Sequence, residues 1–228
     1  MPRLSIVIPA LNASETLGVV LASLAEAAAA GLDHELILAD GGSVDGTAAL
    51  ARAQGATLLV VPPSRGGQLA AGAAVARGEW LLFLHADTRL EPGWATIASR
   101  FIALPANRER AAVFRFALDD ASAAARRLER LVAWRTRALG LPYGDQGLLI
   151  ARAFYERLGG FKLQPLMEDV DLVRRIGRHR IALLEARAIT SAARYRRGGW
   201  LSRSARNLAC LALYYLGLPP RLIRRLYA

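Results

Sequence analysis

The stretch Leu82-Phe83-Leu84-His85-Ala86-Asp87-Thr88-Arg89 decides the fold class, because an apolar run ends abruptly in a carboxylate and a hydroxyl. Strands of a parallel sheet are buried on both faces and therefore read as continuous apolar runs. Ligands of open α/β sheets bind at the carboxyl ends of such strands. The stretch therefore predicts that Asp87 lies at a strand tip facing a cleft, where carboxylate and phosphate oxygens suit a hard cation such as Mg²⁺. An ordinary turn aspartate gives the same local pattern.

Predicted strands and helices alternate around this stretch. The front half predicts strands at residues 4–8, 35–39, 57–61 and 80–84, separated by helices at 12–30, 43–54 and 66–76. The back half predicts helices at 94–104, 121–139, 154–158 and 168–178, with strands at 111–118 and 181–185. Such alternation indicates βαβ units and a Rossmann-like, mostly parallel sheet flanked by helices, an α/β fold.

The predicted organisation is a single domain with a C-terminal tail. Residues 1–199 form the domain, with a nucleotide-binding half at 1–99 and an acceptor and catalytic half at 100–199, and residues 200–228 form an amphipathic helical tail. The 228 residues, 54% of them hydrophobic, suffice for one core. The single cysteine, Cys210, excludes an internal disulfide. The sequence shows no signal peptide and no apolar run of the ~18 residues that span a bilayer, which favours a cytoplasmic location.

Charge is distributed unevenly along the chain. Residues 1–99 carry 5 basic and 9 acidic side chains, whereas residues 100–228 carry 25 and 10, which gives the net charge of +11. A basic half suits a phosphorylated substrate, an anionic membrane surface or nucleic acid. No nucleic-acid recognition motif accompanies it, so we expect no nucleic-acid partner. The tail, where arginines flank an apolar stretch, is typical of a peripheral contact with the inner face of a membrane, but a helix packed on the domain or a homo-oligomer contact remains open.

Four short motifs, in this order, resemble family 2 glycosyltransferases. They are SIVIPALN at residues 5–12, DGGSVDGT at 40–47, HAD at 85–87 and ED at 168–169. The resemblance implies a GT-A fold and an inverting transfer of a sugar from a UDP- or GDP-linked donor to an acceptor hydroxyl, assisted by Mg²⁺ or Mn²⁺. A narrower resemblance joins the chain to a bacterial subgroup labelled as arsenosugar-biosynthesis glycosyltransferases, through RGGQ at 65–68, GDQG at 144–147 and TSAAR at 190–194. The last motif departs from the subgroup by an extra Ala before Arg194.

The donor-binding residues are expected at the strand ends. By position, Pro9, Ala10 and Asn12 would dock the base and ribose, and Glu15 would accept from either. A capping box formed by Asn12 and Glu15 is the structural alternative. The remaining predicted donor contacts are Asp40, Ser43, Asp45, Arg65, Gln68, Ala86, Asp145, Gln146 and Arg194. For Asp40 the alternative is a plain turn, for Ser43 and Asp45 it is capping of the next helix, and for Gln68 it is a solvated helix position.

Metal and catalytic roles rest mainly on the resemblance. It implies that Asp87 ligates the cation and that Asp169 is the general base, with Glu168 beside it. His85 takes the place of the motif's first acid, where an imidazole suits a ribose hydroxyl or Mn²⁺. A pair of ordinary acids at a helix start is the alternative for residues 168–169.

Competing functions are nucleotidyl transfer and a non-enzymatic nucleic-acid-binding module. Nucleotidyl transfer requires a Gly-rich basic loop after the first strand. Residues 9–12, PALN, do not form such a loop. The acceptor is undetermined by the sequence, and both a lipid-linked and a soluble acceptor fit.

Overall fold

An eight-stranded sheet organises the chain in the computed structural model, which describes residues 3–227. The outermost residues of the predicted domain and tail, 1–2 and 228, lie outside the described part. The strands are β1 (Leu4–Ala10), β2 (His34–Asp40), β3 (Thr57–Val60), β4 (Trp80–Phe83), β5 (Thr88–Leu90), β6 (Ala111–Leu118), β7 (Leu148–Ala151) and β8 (Ile181–Thr190). Their order across the sheet is β3-β2-β1-β4-β7-β6-β8-β5.

The first half of the sheet is parallel throughout. β1 pairs in parallel with both β2 and β4, and β2 with β3. β1 and β4 are buried along their whole lengths, as their apolar sequences require. In the second half β7 runs antiparallel to β4 and β6, while β6 and β8 are parallel. The predicted α/β fold with a mostly parallel sheet is therefore confirmed.

The helices cover the sheet and end in a two-helix tail. They are α1 (Ser14–Leu24), α2 (Glu26–Ala29), α3 (Thr47–Ala53), α4 (Arg65–Val75), α5 (Trp94–Ala103), α6 (Ala123–Leu139), α7 (Arg152–Arg157), α8 (Glu168–Ile176), α9 (Ala193–Gly198), α10 (Trp200–Tyr215) and α11 (Pro220–Tyr227). The predicted first helix is divided at Ala25 into α1 and α2. The tail, predicted to be helical over residues 200–228, consists of the two helices α10 and α11 with a turn between them.

The capping box predicted from Asn12 and Glu15 is wrong. Ala13, whose side chain cannot accept a hydrogen bond, is the N-cap residue of α1. Asn12 adopts a left-handed conformation with φ 48°, and its amide oxygen accepts from Val44 N at 3.0 Å. Asn12 therefore bonds a residue 32 positions later in the chain and not the first turn of its own helix. The spacing of Asn12 and Glu15 in the sequence cannot reveal such a distant partner.

Strand β8 is longer than predicted because its second half pairs with β6 on one side and with β5 on the other. Thr88, Arg89 and Leu90 lie antiparallel to Thr190, Ile189 and Ala188. The hydroxyls of Thr88 and Thr190, both buried, lie 2.8 Å apart. Strand β5 has only three residues and follows the HAD motif directly, so it carries no periodic signal of its own. This pairing brings the chain after β8 beside Asp87.

Close packing of α4 on the sheet sets the position of the cleft. A Cβ on Gly72 would collide with the side chain of Val7 in β1, so the absence of a side chain lets α4 approach the strand. The Gln68 amide donates to the carbonyls of Ala10 and Ala39, each at 2.8 Å, and so joins the ends of β1 and β2. The N-terminus of α4, with Arg65, is thereby held at the carboxyl edge of the sheet.

The tail contacts α8 of the domain, and each tail helix buries one apolar side chain. Cys210 of α10 and Ile223 of α11 are buried. The Arg174 guanidinium of α8 lies 5.0 Å from the ring centroid of Tyr215. Among the described residues, no helix is long and apolar enough to cross a membrane.

Candidate active site

Two adjoining cavities open at the carboxyl ends of β1 and β4. The large cavity has a volume of about 550 Å³ and is lined by residues that follow β1, by the start of α4 and by α9. The small cavity, of about 130 Å³, is lined by residues 143–145, the N-terminus of α8 and residues 190–195. The residues common to both cavities are Arg65, His85, Asp87, Ser191 and Arg194. The edge predicted from the Leu82–Arg89 stretch is therefore where the cavities lie.

Most of the predicted site residues line these cavities. The large cavity has Pro9, Ala10, Asn12, Glu15, Gln68 and Ala86, the small one has Asp145, Glu168 and Asp169, and Arg65, His85, Asp87 and Arg194 line both. The predicted residues outside the two linings are Asp40, Ser43, Asp45 and Gln146. Their polar groups are instead occupied by bonds within the protein.

Asp40, Ser43 and Asp45 build the turn after β2. Asp40 is buried, and its carboxylate accepts from the backbone N–H of Ser43 at 3.1 Å. Asp45 accepts from Ser14 N at 3.1 Å and from Thr47 N at 2.9 Å, and the Thr47 hydroxyl is the main reason that the pKa of Asp45 lies well below its ordinary value. The three side chains therefore form a turn that joins α1 to α3, and their predicted contacts to the donor stay predictions.

The side chains of two glutamines form hydrogen bonds within the protein. Gln146 is buried, accepts from the Thr136 hydroxyl at 2.9 Å and donates to Phe114 O at 3.0 Å, so the structure does not bring it to a sugar hydroxyl. Gln68 is also buried, and its amide nitrogen is occupied by the two strand carbonyls. The predicted solvated position for Gln68 is wrong.

An acidic pair begins α8, as the sequence predicts. Glu168 is buried, and its Oε1 lies 3.7 Å from Nε of Arg65, too far for a hydrogen bond. Burial, reinforced by the charge of Asp169, raises the pKa of Glu168 to about 7. The preceding residue, Met167, has φ 65°, a conformation that non-glycine residues rarely adopt outside functional or strained sites. Glu168 therefore faces Arg65, and Asp169 faces the small cavity.

The carboxylate of Asp169 is fixed by backbone groups. Its Oδ2 accepts from the N–H of Gly144 at 2.9 Å, and its Oδ1 from the N–H of Val170 at 2.8 Å. A Cβ on Gly144 would lie 2.5 Å from Nε2 of His85, so only glycine allows the loop to sit against this ring. The HAD and GDQG motifs and the ED pair, distant in sequence, therefore meet at one point.

Asp87 offers a carboxylate to a ligand in either cavity. Its Oδ2 lies 3.6 Å from the Arg194 guanidinium, and Ser191 N donates to its backbone carbonyl at 3.0 Å. The described residues contain no cluster of three His, Cys, Asp or Glu side chains that would hold a cation alone. A single carboxylate beside a cavity of this size fits a Mg²⁺ or Mn²⁺ ion whose other ligands are phosphate oxygens and water.

His85 is half-buried and lies at the edge that both cavities share. Burial is the main cause that lowers the pKa of His85 to about 4, and the nearby Arg65 charge acts in the same direction. The imidazole is therefore neutral near pH 7. Nε2 of His85 faces Gly144, and the absence of a side chain there leaves room for the ring.

Sequence reasoning missed the contribution of the tail to the site. Arg203 and Asn207 of α10 line the small cavity, and Arg224 of α11 lines the large one. Other lining residues that it missed include Tyr143, Thr190 and Tyr195. The spacing of Arg203 and Asn207, four residues apart, indicated a shared helix face. Nothing in the sequence indicated which part of the domain that face would meet.

The sequence model of glycosyl transferase family 2 matches residues 5–132, more than half of the chain. The matched region contains most of β1, the DGGSVDGT turn, Arg65 and the HAD motif; of these, the end of β1, Arg65 and the HAD motif line the large cavity. The chain therefore belongs to glycosyl transferase family 2. No curated protein sequence matches it. The narrower resemblance to the arsenosugar subgroup stays a prediction.

Solved structures confirm the GT-A fold expected from the motifs. Glucosyl-3-phosphoglycerate synthase from Mycobacterium tuberculosis, in complex with Mn²⁺, UDP and glucosyl-3-phosphoglycerate, is 22% identical with a TM-score of 0.65, over 96% of this chain and 81% of that one. Mannosyl-3-phosphoglycerate synthase from Rubrobacter xylanophilus is 18% identical with a TM-score of 0.63, over 95% and 75%. TarS from S. aureus is 15% identical with a TM-score of 0.65, and the chain, although 99% covered, spans only 42% of its length.

Proposed function

We propose that the protein is an inverting glycosyltransferase that moves a sugar from a nucleotide-diphosphate sugar to an acceptor hydroxyl. The observation that carries this proposal is the position of Asp169. Its carboxylate is held by two backbone N–H groups in a small cavity that shares Arg65, His85 and Asp87 with a larger one. A nucleotide in the large cavity would thus present its sugar to a fixed base.

The large cavity supports the donor assignment by size and charge. A volume of about 550 Å³ falls within the range of small-molecule sites. Arg65, Arg194, Arg197 and Arg224 line it and would face the diphosphate, for which guanidinium groups are suited. A UDP- or GDP-linked sugar fits this arrangement, and the GT-A synthase from M. tuberculosis has been solved with Mn²⁺ and UDP-glucose.

Asp87 would hold the Mg²⁺ or Mn²⁺ ion between the protein and the diphosphate. When bound, the cation would neutralise charge that develops on the departing nucleotide diphosphate. Arg65 and Arg194 would add to that neutralisation, and Glu168, paired with Arg65, would position its guanidinium rather than act as a base. The neutral His85 imidazole would hydrogen-bond a ribose hydroxyl.

Asp169 would take the proton of the acceptor hydroxyl. The acceptor oxygen then forms a bond to the anomeric carbon while the bond from that carbon to the diphosphate breaks on the opposite side, so the configuration inverts. General-base catalysis of this kind contributes roughly 10²- to 10⁴-fold to rate. The N–H groups of Gly144 and Val170 keep the carboxylate in place before the acceptor arrives.

The test is a thermal-shift panel of UDP- and GDP-sugars with and without Mn²⁺. We expect at least one donor to raise Tm only when Mn²⁺ is present, and Asp87→Asn to abolish that metal-dependent rise. Asp33→Asn, which changes an exposed acid away from both cavities, is the matched control. If no donor raises Tm, or if Asp87→Asn retains the metal-dependent shift, the proposed donor and metal roles are wrong.

We also propose peripheral contact of the tail with an anionic membrane surface, which would suit a lipid-linked acceptor. Leu201, Leu208, Leu216, Leu222 and Leu226 are exposed on α10, on α11 and in the turn between them. Residues 200–228 contain five arginines and no acidic residue. Exposed apolar side chains with basic neighbours are typical of interfacial helices. The burial of Cys210 and Ile223 is also compatible with the competing view, in which the tail only packs on the domain.

A further inference from the structure

The first tail helix, α10, forms part of the small cavity that contains Asp169. Arg203 and Asn207, four residues apart on one helix face, both line it. Neither residue belongs to the stretch that the family model matches. The wall they form therefore lies beyond the matched stretch, in the C-terminal segment.

Three buried oxygen atoms of residues lining the small cavity lack hydrogen-bond partners: Oε1 of Glu168, Oδ1 of Asp145 and Oδ1 of Asn207. Oε1 of Glu168 has the Arg65 guanidinium 3.7 Å away, whereas within the described residues no ion pair joins the other two side chains. Buried polar atoms in proteins almost always have a partner, so these two oxygens in one cavity need an explanation. A bound molecule with hydroxyl donors would satisfy both atoms. In the proposed reaction the nucleotide occupies the large cavity and its sugar reaches toward Asp169 and Asp145, which leaves Asn207, on the tail side of the small cavity, for the acceptor.

Arg203 differs from the other cations of the small cavity in its partners. Arg65 is paired with Glu168 and Arg194 with Asp87. Arg203 lies 5.5 Å from the ring centroid of Tyr195, and within the described part of the chain no ion pair joins it to a carboxylate. A guanidinium on an aromatic ring keeps its donors available to an anion.

We infer that Arg203 and Asn207 form an acceptor subsite, and that the acceptor carries an anionic group, a phosphate or a carboxylate, beside its reacting hydroxyl. This inference rests on the proposed function, because it places the acceptor in the cavity of Asp169. Arg203 binds the anionic group, and Asn207 accepts from a neighbouring hydroxyl. The tail is therefore part of the substrate-binding machinery.

The experiment is calorimetry on the full chain in two stages. The first stage titrates UDP and GDP in the presence of Mn²⁺ and tests the proposed function alone. The second titrates glycerol 3-phosphate, glycerate and glycerol into the nucleotide-loaded protein, so that the arginines of the large cavity are already occupied. We expect one anionic probe to bind and glycerol to show no binding. Binding of glycerol 3-phosphate would indicate that the acceptor carries a phosphate, and binding of glycerate that it carries a carboxylate.

Variants then assign the binding to the subsite. Arg203→Gln should weaken anion binding at least tenfold, as loss of a charge-assisted contact predicts, while nucleotide affinity stays within twofold. Arg203→Lys should recover most of the affinity, and Asn207→Asp should abolish anion binding by repulsion. Arg221→Gln, an exposed tail arginine outside both cavities, is the control and should behave as wild type.

The outcomes are distinguishable. Failure of the first stage refutes the proposed function. Nucleotide binding without binding of either anion, or anion binding that Arg203→Gln leaves unchanged, overturns the acceptor subsite and leaves the donor assignment standing. Circular dichroism melts of each variant show whether a loss of binding reflects a loss of fold.

Discussion

At the scale of single residues, the best-defined group is the Asp169 carboxylate, because both of its oxygens accept from backbone N–H groups. We expect Asp169→Asn to lower kcat by roughly 10²- to 10⁴-fold, the usual contribution of a general base. Donor affinity should change by less than twofold, since proton removal occurs only on the way to the transition state. Steady-state kinetics and nucleotide titration would check this. A variant that loses donor affinity instead would remove Asp169 from the base role.

The second prediction at this scale concerns the effect of Asp145 on the stability of the fold. Burial raises the pKa of Asp145 to about 6, above the ordinary value of 3.8. A carboxyl whose pKa is raised by folding binds its proton more tightly in the folded state, so its ionisation destabilises the fold as pH rises from about 4 to about 6. Asp145→Asn should therefore gain stability relative to wild type across that window and keep the gain above it. Thermal melts at pH 4, 5, 6 and 7 measure the difference, and a constant difference would contradict the prediction.

At the scale of elements, Gln68 shows how one side chain in α4 holds two strands. Its amide donates to Ala10 O of β1 and Ala39 O of β2, and all three residues are buried. Gln68→Leu keeps the apolar stem but removes both bonds, so we expect it to destabilise the protein by about 1–3 kcal/mol. Urea unfolding measures the change. Gln54→Leu, at an exposed position after α3, is the control and should cost far less.

At the scale of the whole molecule, the tail joins the site to a leucine- and arginine-rich surface. If this surface meets a membrane, the protein should float with anionic vesicles at low salt and should be released as salt rises. Leu201→Ser combined with Leu208→Ser should weaken flotation without loss of fold, because both side chains are exposed. Protein that remains in the soluble fraction at low salt would contradict the membrane contact.

Elements with local signals could be predicted from the amino-acid sequence. The apolar runs of β1, β2, β3 and β4, with helices between them, predicted the parallel half of the sheet. Because such strands end at one edge, the polar residues at their tips, Asp87 among them, were expected together. The start of α8 at Glu168 was also visible as a break in the pattern followed by two acids.

Features that depend on contacts between residues far apart in sequence could not be predicted and are visible only in the folded chain. Strand β5 exists because it pairs with β8 about 100 residues later, and Asn12 is held by a turn after β2. The side chains of Gln68 and Gln146 point inward because they form hydrogen bonds with backbone carbonyls and a hydroxyl of other elements. Arg203 and Asn207 reach the cavity of Asp169 because the tail folds back onto α8. Periodicity shows which face of a helix is apolar, but the partner of that face is chosen by packing of the whole chain.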